Sequence, residues 1–209
     1  MKELREKLLD AVGVRVSVHG FHRDRKEQRF VREVSSGCQS LHLAFINHHD
    51  DFDVTADVAV RIEEVERIVN ATNAKLSAKE KRLTSTAGGE LGNLEGRGQL
   101  RWTVARETDI DSVSSAIARE FRRVGLPFFV RLQQPEALLS VLRDNEREGW
   151  LHAPVHAARC MRAVALASVL REPDVSRLIQ AEEAFLAERR DFGLAAFREF
   201  AAAFKASTR

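Results

Sequence analysis

The feature that most constrains the fold of this chain is a change in hydrophobic period near residue 107. Before that point, apolar residues recur at every second position in several segments, as in Phe52, Val54 and Ala56. Beyond it they recur at helical spacing, as in Val113 and Ile117. A period of two is typical of strands with one buried face, and a period of about 3.6 is typical of amphipathic helices. A sheet followed by helices predicts an α+β fold. The chain lacks the regular alternation of strands and helices that would indicate a parallel sheet.

The first half of the chain predicts an antiparallel sheet of about four to six strands packed with helices. Residues 2–12 carry leucines at helical spacing and predict an amphipathic helix, while residues 14–18 fit either its continuation or a short strand. A charged helix with Val65 inward is expected after the long strand, followed by a loop over residues 73–81. Strands are predicted over residues 29–35, 41–45, 52–62, 82–94 and 99–106, with a glycine-rich bend in the fourth.

The second half predicts helices. Thr108 or Asp109 is expected to cap a helix that Gly125 ends in the left-handed conformation. Residues 126–129 then predict an extended segment that re-enters the core, and Pro135 suits the first turn of the next helix. Three further helices are predicted over residues 154–171 and 174–190 and around Leu194 to Phe204.

This order of segments predicts two parts. Residues 1–147 are expected to form the sheet domain. Residues 148–209 are expected to form a helical C-terminal extension, an αα-hairpin plus a final helix packed on the first domain.

Composition and charge exclude several classes of protein. Hydrophobic residues make up 44% and charged residues 31% of the 209 residues, which is the balance of a globular protein. The net charge is only +2 and basic residues alternate with acidic ones. The chain therefore lacks the surplus of cationic residues that nucleic-acid binding requires, and we expect no nucleic-acid partner. The N-terminus lacks the apolar core of a signal peptide, and no stretch approaches the roughly 18 apolar residues of a membrane span. We therefore expect a cytoplasmic protein without a membrane partner.

The sequence contains no recognisable catalytic or cofactor motif. Cys38 and Cys160 are single and far apart, so they predict reduced, half-buried side chains and neither a disulfide framework nor a zinc site. The glycine-rich segment 88–92 lacks the lysine of a phosphate-binding loop and predicts a bend or bulge. Neighbouring carboxylates on predicted helices, such as Glu182 and Glu183, indicate solvated faces. We assign no catalytic residue, no metal site and no cofactor from these patterns.

The order of landmarks nevertheless resembles a known family. After the N-terminal amphipathic helix, these landmarks are Gly20-Phe21, Phe30-Val31-Arg32, Ala59-Val60-Arg61-Ile62, Gly92-Asn93-Leu94, Trp102 and Gly125-Leu126-Pro127-Phe128-Phe129. Over roughly residues 1–145 they look like the bacterial domain-of-unknown-function family four-three-zero-four. The resemblance implies an α+β sheet domain of bacterial origin, and it supplies no catalytic residues.

The densest group of possible metal ligands is the predicted hairpin loop. His48, His49, Asp50 and Asp51, with Asp53 just beyond, offer imidazole and carboxylate groups that suit zinc or manganese. A hydrated hairpin tip accounts for the same residues without a metal, and we favour it, because adjacent residues on a tight loop point in different directions.

A second histidine pair, His152 and His156, has the spacing of two ligands on one helical face. Pro154 lies between them and favours a helix start there, which leaves His152 outside the regular helix. Ala153 also stands where the metalloprotease pattern requires glutamate. This segment therefore predicts a hinge and no metal site.

The last helix carries the largest apolar stripe, formed by Leu194, Phe197, Phe200 and Phe204. We expect it to pack on the sheet or on the preceding αα-hairpin. If it were exposed, it would form a dimer or partner surface, since contiguous apolar patches are rarely left in water.

Two functions follow as hypotheses. The absence of a catalytic motif favours a protein-protein interaction module over an enzyme, and an immunity-type protein that blocks a toxin is one version by analogy. The alternative is a small-molecule or metal-dependent enzyme with a site assembled across the sheet. Its candidate residues are His42, His48, His49, Asp51 and Trp102.

Overall fold

The computed structural model describes residues 1–207 and confirms the α+β prediction. Six strands form one antiparallel sheet in the order β1-β2-β3-β4-β5, and β6 also pairs with β4, along Phe52–Val54. The strands are β1 (His22–Asp24), β2 (Arg29–Val34), β3 (Gly37–Asn47), β4 (Phe52–Ile62), β5 (Ala87–Glu90) and β6 (Trp102–Val104).

Most of the remaining described chain is helical. The helices are α1 (Lys2–Ser17), α2 (Glu63–Ala71), α3 (Ala78–Leu83), α4 (Asp109–Glu120), α5 (Leu126–Leu132), α6 (Pro135–Arg143), α7 (Arg147–His152), α8 (His156–Val169), α9 (Val175–Glu188) and α10 (Leu194–Ser207). A short 3₁₀ turn (Asn93–Glu95) follows β5, and a π-helical turn (Phe121–Gly125) joins α4 to α5.

The chain divides into two compact units, each built from two separate stretches. The sheet unit contains Met1–Val60 and Gly89–Arg131, and the helical unit contains Arg61–Gly88 and the described chain from Leu132 onward. The boundary that we predicted after residue 147 does not coincide with this division. The helices α2, α3 and α6 belong to the same unit as the C-terminal helices. Contacts between segments that are distant in the chain place them there, and the order of the segments along the chain does not reveal these contacts.

The core of the sheet unit lies between the sheet and the helices α1 and α4. The inner faces of the strands bury Phe30, Leu41 and Val54, while α1 buries Leu8 and Val12. Phe21, Phe121 and Phe129 add an aromatic cluster with ring centroids 5.1 to 6.2 Å apart. Burial of these large side chains contributes most of the stabilisation of this unit.

The core of the helical unit is organised around α8. This helix packs against α2, α6, α9 and α10. The residues that it buries are mostly small, and they include Ala157, Cys160, Ala163, Ala165 and Ala167. Small side chains let neighbouring helices approach closely, so one helix can contact several others.

Two uncertain or incorrect local predictions have simple physical explanations. The helix α1 continues to Ser17, because Val16 lies four residues after Val12 and extends its buried stripe. The predicted loop over residues 73–81 is partly wrong, since α3 begins at Ala78. The Ser77 hydroxyl accepts from the Glu80 backbone N–H, and the Glu80 carboxylate accepts from the Ser77 N–H. This capping box was legible in the sequence.

The predicted helix end at Gly125 and the extended segment after it are also wrong. Helical structure runs through the π turn into α5. A Cβ at position 125 would lie 2.9 Å from Phe121 Cδ2 and 3.1 Å from Val58 Cγ1. Gly125 is therefore required by close packing and does not end a helix. Pro127 is tolerated near the start of α5, because the π-helical turn just before it interrupts the regular α-helical hydrogen bonds and proline has no backbone N–H to donate.

Candidate functional site

The predicted histidine loop joins β3 to β4 in the sheet unit. His48 Nε2 lies 3.3 Å from Asp53 Oδ2, and the Thr103 hydroxyl on β6 donates to Asp53 Oδ1 at 2.7 Å. The Thr103 hydrogen bond, assisted by His48, lowers the pKa of Asp53. The Thr103 hydroxyl makes its hydrogen bond to the Asp53 carboxylate, and no hydrogen bond joins it to His48 among the described residues. Thr103 and His48 therefore do not form a nucleophile–base pair.

The other residues of this loop point in different directions. The side chain of His49 is almost fully exposed and contacts only the neighbouring Asp50, with Nδ1 to Oδ1 at 2.6 Å. Asp51 is half-buried, and its backbone carbonyl accepts from the His48 N–H at 3.0 Å. Among residues 1–207, no group of three or more His, Cys, Asp or Glu side chains is arranged to hold a metal ion.

The structure does not bring Trp102 to the histidines. Trp102 pairs with Val54 and therefore lies on the core face of the sheet, whereas its neighbour Thr103 faces outward with Asp53. His42 does lie on the outer face, with Nδ1 at 3.9 Å from Asp57 Oδ2. The site that we expected across the sheet is thus divided between its two faces, because alternate residues of a strand point in opposite directions.

The phenylalanine stripe of α10 is buried within the helical unit. Phe197, Phe200 and Phe204 pack on the inner side of α10, which lies against α8 and α9. This confirms packing on the αα-hairpin. It also removes these three residues as a partner surface.

A buried polar network crosses the helical unit. Arg159 is fully buried, and its Nη1 donates to the carbonyls of Leu142 and Asp144 at 2.9 and 2.7 Å. Its Nη2 donates to Asn145 Oδ1 at 2.7 Å. Carbonyls at the end of a helix have no intrahelical partner, so Arg159 completes the C-terminus of α6.

The same network contains Glu182, which we expected on a solvated face and which is buried. The Cys160 thiol donates to Glu182 Oε2 at 3.1 Å. Burial raises the pKa of the Cys160 thiol and the pKa of the Glu182 carboxyl. A buried thiol with a raised pKa is a poor nucleophile, so this pair indicates a structural role.

The helical unit also exposes large apolar side chains that the sequence patterns did not single out. Trp150 on α7 is 61% exposed, Val155 before α8 is 53% exposed, and Phe192 between α9 and α10 is 92% exposed. We name these three residues the Phe192 surface. The turn of Phe192 contacts the start of α8 next to Val155, since His156 Nδ1 lies 3.2 Å from Asp191 Oδ2. The helix α7, which carries Trp150, packs on α8 where Gly149 approaches Arg159.

The turn that carries Phe192 is held firmly. Asp191 Oδ1 accepts from the Gly193 N–H at 2.7 Å, and Asp191 Oδ2 lies 3.2 Å from His156 Nδ1. A side chain at position 193 would overlap with Ala157, so the turn approaches α8 as closely as glycine allows. These contacts fix the backbone on both sides of an aromatic side chain that projects into solvent.

Comparison with family models, curated proteins and solved structures finds no match to this chain. The resemblance to the domain-of-unknown-function family therefore stays a prediction. No helix among residues 1–207 is long and apolar enough to cross a membrane.

Proposed function

We propose that this protein is a protein-binding module that contacts its partner through the Phe192 surface. The observation that carries the proposal is the 92% exposure of Phe192 on a turn whose conformation is fixed by Asp191 and Gly193. Full burial of a phenylalanine side chain stabilises a protein by roughly 1.5–3 kcal/mol, and this stabilisation is absent while the ring faces water. A bound partner restores it.

The arrangement has the properties of an interface hot spot. Aromatic residues dominate the binding energy of many interfaces, and a rigid scaffold lowers the entropy lost on binding. Trp150 and Val155 extend the apolar area around the α7–α8 link. We treat Phe192 as the anchor. Val155 lies next to His156, which contacts the Phe192 turn, and Trp150 lies on α7, which packs on the same helix α8.

Charge next to the anchor indicates an acidic partner surface. Arg189 and Arg190 are both exposed and lie three and two residues before Phe192, while Asp191, which directly precedes Phe192, is engaged by His156. The guanidinium of Arg189 stacks 4.8 Å from the Phe185 ring, which limits its freedom. Glu188 and Asp191 balance the two arginines in sequence, but the Asp191 side chain is only 9% exposed and is engaged by His156 and the Gly193 N–H, so the exposed charges of this segment are two positive and one negative. The complementary partner is a protein with an apolar pocket bordered by carboxylates.

The test replaces Phe192 by the photo-crosslinking amino acid p-benzoylphenylalanine in cells that produce the protein naturally. We expect one dominant adduct with a different protein, whose crosslinked peptide is rich in Asp and Glu. The purified partner should bind the wild type, and Phe192→Ser should weaken binding tenfold or more, which corresponds to about 1.4 kcal/mol.

Two further variants complete the experiment. Arg189→Glu with Arg190→Glu should weaken the same binding, whereas Val14→Ser, an exposed apolar position in the sheet unit, should leave it unchanged. Adducts only with a second copy of the chain, a basic partner peptide, or no adduct at all would each overturn the proposal.

A further inference from the structure

A pocket of about 300 Å³ lies in the helical unit, bordered by Val155 of the Phe192 surface and by the predicted hinge residues His152, Ala153 and Pro154. Its walls are the segments 83–87 and 152–155 together with Arg162 of α8. This volume is at the small end of the range for ligand pockets, so it suits a ligand of few atoms. No carboxylate belongs to the lining residues.

Arg162 supplies the charge at the wall of this pocket. Its Nε and Nη2 contact Glu66 Oε1 and Oε2 at 2.8 and 3.4 Å, and Nη1 makes no hydrogen bond within the described chain. Glu66 is completely buried and also accepts from the Thr86 hydroxyl at 3.1 Å. One edge of the guanidinium is thus fixed from within the core, while the other retains N–H donors, the arrangement with which arginine holds a second oxyanion.

A hydroxyl accompanies this guanidinium. The hydroxyls of Thr84 and Thr86 donate to the Lys81 carbonyl and to Glu66 and are therefore engaged. The Ser85 hydroxyl, between them in sequence and also lining the pocket, makes no hydrogen bond within the described chain. Ser85 adds a donor that the fold does not use.

We infer that this pocket binds a small oxyanion, a carboxylate or phosphate group, through Arg162 Nη1 and the Ser85 hydroxyl. The buried Glu66 carboxylate lowers the affinity, because its charge opposes that of the ligand. Removal of the Glu66 charge should therefore raise the affinity for the anion, which can be tested. Val155 borders both sites, but the inference rests on Arg162 and Ser85 and not on the proposed protein-binding function, so either can fail alone.

The test is an NMR titration of the ¹⁵N-labelled full chain with inorganic phosphate and with acetate, each at constant ionic strength in chloride. We expect saturable shifts of the amides in segments 83–87 and 152–155, and the tighter of the two anions identifies the ligand group. Glu66→Gln should tighten binding at least threefold, because it removes the opposing charge and keeps an acceptor for Thr86.

Two variants should weaken binding. Glu66→Gln combined with Arg162→Gln should weaken it tenfold or more, and it leaves no unpaired buried charge that would unfold the unit. Ser85→Ala should weaken it about three- to tenfold, as expected for the loss of one hydrogen bond. Ser176→Ala, an exposed serine on α9, is the matched control and should change nothing.

Three results would overturn the inference. The first is the absence of saturable shifts with both anions in the wild type and in Glu66→Gln. The second is binding that the double variant retains. If circular dichroism shows that the double variant is unfolded, the anion affinities of Ser85→Ala and Ser176→Ala are compared instead. Equal affinities for these two variants are the third result that would overturn the inference.

Discussion

Buried polar residues determine the character of the helical unit at the scale of single side chains. Arg159 satisfies carbonyls at the end of α6, and Glu182 receives the Cys160 thiol. The sequence carried a signal for the burial of Glu182, because it lies three residues after Ile179 and four before Leu186, both of which are buried. A carboxylate in an apolar stripe was read as solvent-facing because isolated buried charges are uncommon.

We expect Glu182→Gln to gain stability relative to the wild type as pH rises. Burial raises the pKa of Glu182 above its ordinary value of 4.5. Glu182 therefore contributes stability below the unfolded-state pKa, and this contribution is lost as pH rises through the folded-state pKa. Glutamine does not ionise, so the contribution of this position to the free energy of unfolding stays constant in the variant over the same pH range.

The measurement is the free energy of unfolding in urea at intervals from about pH 4 to about pH 8. The variant-minus-wild-type difference should increase with pH. A difference for Glu182→Gln that does not change with pH would contradict the buried, raised-pKa state.

At the scale of elements, close backbone approaches decide where helices begin and end. The sequence predicted helix positions well from the apolar stripes of α4, α6 and α9. It failed at Gly125, because a glycine that ends a helix and a glycine that lets two elements touch look identical in one sequence. It also missed α7, whose six residues are too few to show a period.

Gly149 in α7 is a second position where packing requires glycine. An added Cβ would overlap with the Asp144 carbonyl oxygen and would lie 3.2 Å from Arg159 Cδ. We expect Gly149→Ala to lower the free energy of unfolding by about 1–3 kcal/mol, the usual cost of overpacking. Arg147→Ala, on the exposed side of the same helix, is the control and should stay within about 0.5 kcal/mol. Equal values for the two variants, measured by urea denaturation, would show that the backbone can move apart freely.

At the scale of the whole molecule, chain order and packing differ. The helical unit combines Arg61–Gly88 with the chain from Leu132 onward, so its core forms only when distant segments meet. The helix α6 packs against α8, and the buried Glu66 of α2 pairs with Arg162 of α8. These contacts cross the boundary after residue 147 that we predicted.

The fragment of residues 1–147 should therefore not fold cooperatively as a whole. It loses α8, which leaves the buried leucines of α6 without cover and the Glu66 carboxylate without its ion pair. We expect a broad, non-cooperative thermal transition for its α2 and α6 segments and poorly dispersed NMR signals from residues 61–88 and 132–147. A single sharp transition with well-dispersed signals throughout would contradict this division and support the boundary after residue 147.

The sequence by itself determined the fold class and the strand and helix character of most segments, and it contained the capping box of α3, although we predicted a loop there. These properties follow from periodicity and short-range hydrogen bonding, which act between residues a few positions apart. Only the tertiary structure decided which face of the sheet Trp102 occupies, that the phenylalanines of α10 are buried and that Phe192 is exposed. Those outcomes depend on contacts between residues distant in the chain, because burial is a property of the assembled elements and no local pattern records which neighbour will cover a side chain.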